Sequence, residues 1–189
     1  MSQKLSHTHL IPSLFVVLLS FTSLGLAQES AAKKMALKGF KRLYQLNDSV
    51  FRSDQPSKKG FQLLEAEGVK TILNFRRNKK DDKKAANTGL IFKHFPLKTK
   101  ELTEAQIITA LKLIQTSEKP ILIHCWHGSD RTGAISAAYR IVFEGWDKEK
   151  AIEELRKKEF GYHENWYPNV KDLLRDLDVV GIKKELGLR

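Results

Sequence analysis

Residues 120–132 read PILIHCWHGSDRT, and no other stretch of the chain restricts the fold so tightly. Ile121, Leu122 and Ile123 form a continuous apolar run of strand length, the pattern of a strand buried on both faces. Gly128 interrupts the run, and TGAISAAYRIVFEG then reads as a helix ending near Gly145. A strand buried on both faces needs helices above and below it. The remaining sequence supplies them. Ser49 to Ser53, VKTILNF and LIFKHFPL read as further strands. SKKGFQLLEAEG reads as a helix with Ser57 as N-cap, Phe61 and Leu64 on one face and Gly68 as its stop. TEAQIITALKLIQTSEK opens on a capping box, Thr103 with Gln106. DKEKAIEELRKKEF and NWYPNVKDLLRDLD complete the set, the latter amphipathic through Val170, Leu173, Leu174 and Leu177. The run RRNKKDDKKAANTG between two strands reads as a solvated, charged loop. Strands alternating with helices predict an α/β three-layer sandwich with a mostly parallel central sheet flanked by helices. Reactive sites in such sheets lie beyond the carboxyl ends of the strands. Cys125, the chain's only cysteine, falls at such a place.

The sequence from Cys125 to Arg131 predicts a loop that turns successive backbone N–H groups into one concavity at a helix N-terminus, a ready anion site. Gly128 relaxes that loop, and Gly133 permits close packing beneath it. A tetrahedral oxyanion fits the cradle formed by Trp126, His127, Gly128, Ser129, Asp130 and Arg131. Arg131 adds a planar, bidentate, permanent charge. The same field favours a thiolate at Cys125, and the Thr132 hydroxyl can donate to that sulfur. The loop thus presents an ionised nucleophile to a bound phosphoryl group.

His124, Cys125, Arg131 and Thr132 match the pattern His-Cys-x5-Arg-Thr/Ser, and with it the chain resembles the cysteine-dependent protein tyrosine phosphatases. VFRSDQPS, GVKTILNFR, PILIHCWHGSDRTG and AAYRIVFEGWDKEKAIEEL look like dual-specificity-type phosphatases of Gram-negative bacteria, some of them exported. The resemblance spans about Leu43 to Trp166 and implies a dual-specificity-phosphatase-like fold. It also implies two-step hydrolysis of phosphate monoesters through a phosphocysteine, with no metal and no other cofactor. The implied substrate is a phosphorylated protein, phosphotyrosine first; related loops act on inositol polyphosphates and phospholipids, which form the alternative. Such enzymes place an aspartate general acid on a loop upstream of the cysteine, but Lys98, Thr99 and Lys100 stand there in FPLKTKELTEA. Asp130, inside the loop, is the expected replacement and Glu101 the second candidate, with Glu104 better suited to a helix first turn. His124 is expected to orient the loop from behind, Trp126 and His127 to form the pocket rim, and Arg52 and Ser53 to lie beside the loop. A phosphate-binding protein without turnover is the non-enzyme alternative raised by the missing aspartate. Retention of both Cys125 and Arg131 argues against it.

The chain opens MSQKLSHTHLIPSLFVVLLSFTSLGLAQES, where Lys4 and two histidines precede an apolar run to Leu26 and small residues follow. That layout predicts a signal peptide over residues 1–27 and a periplasmic or secreted product, with no stable membrane insertion after cleavage. A retained single anchor is the alternative. Beyond the leader, residues 28–42 are expected to be a flexible N-terminus, 43–180 the phosphatase domain and 181–189 a C-terminal tail. The formal charge of +11 falls by one with Lys4. A basic surface suits phosphorylated or acidic partners. No zinc-finger spacing or aromatic-interleaved basic motif accompanies it, so nucleic acid is not expected as a partner.

Overall fold

We describe a computed structural model of the chain, in which residues 30–83, 85 and 87–188 are described. The predicted leader lies outside these residues. The sheet has six strands: β1 (Lys33–Lys34), β2 (Tyr44–Asn47), β3 (Val50–Ser53), β4 (Thr71–Asn74), β5 (Ile91–His94) and β6 (Ile121–His124). Their order is β1-β2-β3-β6-β4-β5. The four strands β3, β6, β4 and β5 run parallel, and β1 and β2 extend the sheet antiparallel on the β3 side. Ser53, His124 and Asn74 share one register line. The carboxyl ends of three neighbouring strands are therefore level, and the loop after β6 leaves from the middle of them.

The helices are α1 (Lys58–Ala66), α2 (Glu104–Gln115), α3 (Asp130–Phe143), α4 (Lys148–Arg156), α5 (Asn169–Asp176) and α6 (Val179–Glu185). Alternation along the strands divides the core. Ile121 and Ile123 face one layer with Val50 and Leu73, packed against Ile107, Leu111, Ile135, Ile152 and Leu174. Leu122 faces the other with Phe51 and Ile72, against Phe61 and Leu64 of α1. One face thus carries most of the helices and the other a single one. Both caps form as the sequence predicts. Ser57 Oγ accepts from Gly60 N at 3.0 Å, and Thr103 and Gln106 close a reciprocal capping box.

The ends of the domain need correction. Residues 28–42 were expected to be flexible. Instead Lys33 and Lys34 pair with β2, Ala32 N donates to Glu154 Oε1 at 3.0 Å, and Met35, Leu37 and Phe40 pack on the smaller core layer. A tail was expected from residue 181. That boundary falls inside α6, whose Ile182, with Leu186 just after it, is buried in the main core. Folded structure therefore begins before Leu43 and runs past residue 180 at the other end.

Candidate active site

His124, the last residue of β6, is fully buried, and the chain leaves the sheet directly into the loop. Two contacts fix that exit. His124 Nδ1 lies 3.0 Å from the Cys125 carbonyl, and Nε2 lies 2.9 Å from Asp81 Oδ2. Asp81 comes from the charged run expected to be solvated, yet it is 3 % exposed. Its other oxygen accepts from Gln55 Nε2 at 2.7 Å. Burial acts to raise the Asp81 carboxyl, but hydrogen bonds from His124, Gln55 and Asn74 outweigh it and hold the group below its ordinary value. The chain of contacts continues outward. Gln55 Oε1 accepts from Arg76 Nη1 at 2.6 Å, and the Arg76 guanidinium stacks over the Trp126 ring at 4.3 Å. A buried histidine behind the loop and a half-exposed tryptophan on its rim are thus joined through three side chains.

Gly128 takes φ +71°, and a Cβ there would meet backbone atoms of Ser53 and Asp54 at 2.6 Å. Only glycine lets the loop lie against the end of β3. Arg52, buried on β3, donates from Nη2 to the Gly128 carbonyl at 2.8 Å and stacks over Phe160 at 4.4 Å. Burial lowers Arg52 to about 10, with Glu154 opposing, so it remains charged at neutral pH. The predicted place of Arg52 and Ser53 beside the loop is therefore what the structure shows. Gly133 lies close to Leu155 of α4, which leaves no room for a Cβ.

Cys125 is 2 % exposed at the base of the loop, and α3 starts at Asp130, five residues further along the chain. Arg131 is partly exposed on the first turn, its Nη1 3.4 Å from the Phe75 carbonyl. It lines a cleft of ≈ 270 Å³ with Arg77, Lys98, Lys100, Glu101 and Tyr167. On the other side, Trp126 and His127 border a cleft of ≈ 410 Å³ with Lys41 and Arg42. Thr132 Oγ1 is the one buried side-chain polar atom among the described residues with no hydrogen-bond partner. The hydrogen bond from Thr132 to the Cys125 sulfur that the sequence led us to expect is therefore not formed in this structure. Trp126 and His127 sit on the rim as predicted, and Ser129 is buried beneath, forming the N-cap of α3.

The two acid candidates separate. Glu101 is exposed and paired with Lys98 at 2.8 Å in a 3-10 turn, Thr99–Glu101. Asp130 is mostly buried and engaged by one partner. His163 donates its backbone N–H to Oδ1 at 2.9 Å, and its Nδ1 lies 3.1 Å from both oxygens. His163 stacks on Trp166 at 5.0 Å and lies 6.2 Å from the His127 ring. Burial first, then the neighbouring His163 and Arg42, holds the His127 imidazole below its ordinary value.

The family model described as "Polymorphic toxin system, DSP-PTPase phosphatase" matches residues 48–145, the span that holds β3, β6, the loop from Cys125 to Arg131 and α3. The chain is a dual-specificity-type protein tyrosine phosphatase. Among the proteins it resembles is the dual specificity protein phosphatase TpbA of Pseudomonas aeruginosa, 32% identical over 161 residues, covering 83% of this chain and 72% of that protein. The crystal structure of TpbA superposes with a TM-score of 0.75 at 28% identity, over 85% of this chain and 98% of that one; a cysteine-to-serine form of TpbA in complex with phosphotyrosine superposes equally well. The catalytic core of the PP-IP phosphatase Siw14 of S. cerevisiae shares the fold at a TM-score of 0.65 and 20% identity, over 77% and 90% of the two chains. The phosphatase sandwich expected from the sequence is therefore the one present.

Asp81, Gln55, Arg76 and His163 of this phosphatase were not singled out from the sequence. Asp81 was hidden inside a run of lysines, and His163 in the linker between α4 and α5. One signal was available. The segment FGYHENWYP carries four aromatic rings and a histidine between two helices, too many apolar and titratable groups for a solvated connection.

Proposed function

We propose that this phosphatase is exported and hydrolyses phosphotyrosine in proteins through a phosphocysteine intermediate. The observation that carries the reading is the placement of Cys125 and Arg131 at the two ends of one glycine-bent loop that leads into α3. The amides of the loop and the Arg131 fork would hold three phosphoryl oxygens while the Cys125 sulfur attacks phosphorus. The S–P bond forms as the ester P–O bond breaks, and the leaving oxygen takes a proton. Water then attacks phosphorus, the S–P bond breaks, and the thiolate returns. Thr132 would steady that thiolate as leaving group. Asp130 belongs to the proton-handling side of the site. Support for an aromatic substrate comes from Trp126, half exposed and stiffened by Arg76, and from the phosphotyrosine complex of TpbA.

A second reading keeps the chemistry and changes the substrate to an inositol polyphosphate. Lys41, Arg42 and His127 around the larger cleft favour it, and the yeast neighbour is named for such a substrate. Phospholipid headgroups share that chemistry. A panel of phosphotyrosine peptides, phosphoserine peptides, inositol phosphates and phosphoinositide vesicles tests both. We expect the highest kcat/KM on phosphotyrosine peptides; a preference for inositol phosphates would transfer the assignment to the second reading. Export rests on the leader alone. N-terminal sequencing of the periplasmic fraction is expected to begin near Gln28, whereas an intact Met1 terminus in the membrane fraction would overturn it.

A further inference from the structure

The loop upstream of α2 puts lysine and threonine where an acid would stand, and Asp130 is bonded in a way that suits an acceptor. A general acid must carry the proton it gives. Both oxygens of Asp130 face N–H groups of one residue, at 2.9 Å to the backbone and 3.1 Å to the ring of His163. The backbone N–H makes Oδ1 an acceptor, and assignment of a ring proton to Nδ1 leaves both oxygens accepting. That assignment places the proton on the partner. We propose that His163, oriented by Asp130, is the proton donor to the leaving oxygen and the base that later activates water. The inference rests on the aryl phosphatase reading above and adds to it the missing acid.

Three observations converge on His163. First, Nδ1 faces the carboxylate, which fixes the ring and leaves Nε2 on its opposite edge as the nitrogen that exchanges a proton. Second, the ring is held flat against Trp166, with an interplanar angle of 12°. Its side chain is still 38% exposed, so the ring is rigid without being shut away. Third, His163 borders the phosphate loop at its middle and at its helical end. It contacts Asp130, next to Arg131, and stands 6.2 Å from the His127 ring. The turn it begins also delivers Tyr167 to the cleft lined by Arg131, through Tyr167 N donating to the His163 carbonyl at 3.0 Å. The steps balance. The Nε2 proton of the imidazolium passes to the leaving oxygen as the S–P bond forms. A proton from the attacking water returns to Nε2 as the S–P bond breaks. Asp130 is a positioning residue that holds Nδ1–H while the ring passes from imidazolium to neutral imidazole and back.

The test compares phenyl phosphate with nitrophenyl phosphate, whose leaving phenoxide needs little protonation. His163→Ala is expected to lower kcat/KM, which reports the step that expels the leaving oxygen, by about 10²–10⁴ on phenyl phosphate and far less on nitrophenyl phosphate. Added imidazole should restore phenyl phosphate turnover in His163→Ala and leave the parent unchanged. Asp130→Asn should act in the same direction and add little on top of His163→Ala, because the two work as a unit. Equal losses of kcat/KM on both esters would overturn the proposal, as would a leaving-group-dependent loss in Glu101→Gln with none in His163→Ala. If His163→Ala does not fold, His163→Gln keeps a donor toward Asp130 and must show the same dependence on the leaving group. A parent protein that turns over neither aryl ester overturns the substrate reading itself; a parent that turns over both, with an unaltered ratio in the His163 variants, overturns only the dyad.

Discussion

Replacing the Cys125 sulfur by oxygen changes the nucleophile and little else in the loop. Cys125→Ser is therefore expected to show no measurable turnover while still binding phosphate or vanadate, because the amide cradle and Arg131 remain. Parent-like rates from that variant would sink the thiol mechanism. Arg131→Lys should lose both turnover and oxyanion affinity, since an ammonium cannot reproduce a fork that grips two oxygens. Gly128 makes a different kind of demand. Alanine there would hold φ near +71° and drive a Cβ to 2.6 Å from the Ser53–Asp54 backbone. The strained conformation alone costs about 1–3 kcal/mol. The loop must therefore move off β3, and Gly128→Ala is expected to lose vanadate binding together with activity; unchanged binding by calorimetry would mean that the cradle tolerates the shift.

At the scale of elements, the strand–loop–helix unit was legible because it is continuous in sequence: strand, nucleophile, glycine, arginine and helix follow one another from Ile121 to Phe143. The parts that hold it from outside were not. Asp81 reaches His124 from 43 residues away, and lysines on both sides of it imitate a solvated run. β2 escaped notice because it is four residues long and turns straight into β3 through Asp48 and Ser49. Charge decides what Asp81 contributes. Its folded value is lowered, so its share of stability is complete above the unfolded value of about 3.9 and is lost as pH falls below it. Asp81→Asn is expected to cost about 1.5–3 kcal/mol near neutrality, the usual worth of a hydrogen bond to a charged group. Denaturant titrations at about pH 6 and about pH 3 should show a smaller acid-induced loss in the variant than in the parent. Parallel losses would place the acid sensitivity elsewhere.

Across the whole molecule, the N-terminal segment is tied to the core through α4. Glu154, 4% exposed, accepts from Arg140 Nε and Nη2 at 3.2 and 3.1 Å and from Ala32 N at 3.0 Å. Arg140 in turn donates to the Leu46 carbonyl at 3.1 Å and stacks over Trp146. One buried ion pair therefore ties the N-terminal segment, β2, α3 and α4 together. Glu154→Leu leaves the Arg140 cation with Glu144 alone and is expected to destabilise the fold by about 3–5 kcal/mol. Cys125 and Arg131 would be untouched, so kcat measured well below the melting temperature should stay near the parent value. A stability loss under about 1 kcal/mol would mean that Glu144 suffices as partner. The same global view gives the single sulfhydryl a practical meaning. With one thiol in 189 residues, a thiol-directed dye reports on Cys125 and on nothing else. The share of that reaction that phosphate shields becomes a count of chains with a formed cradle, and the degree of shielding a meter of occupancy that needs no substrate.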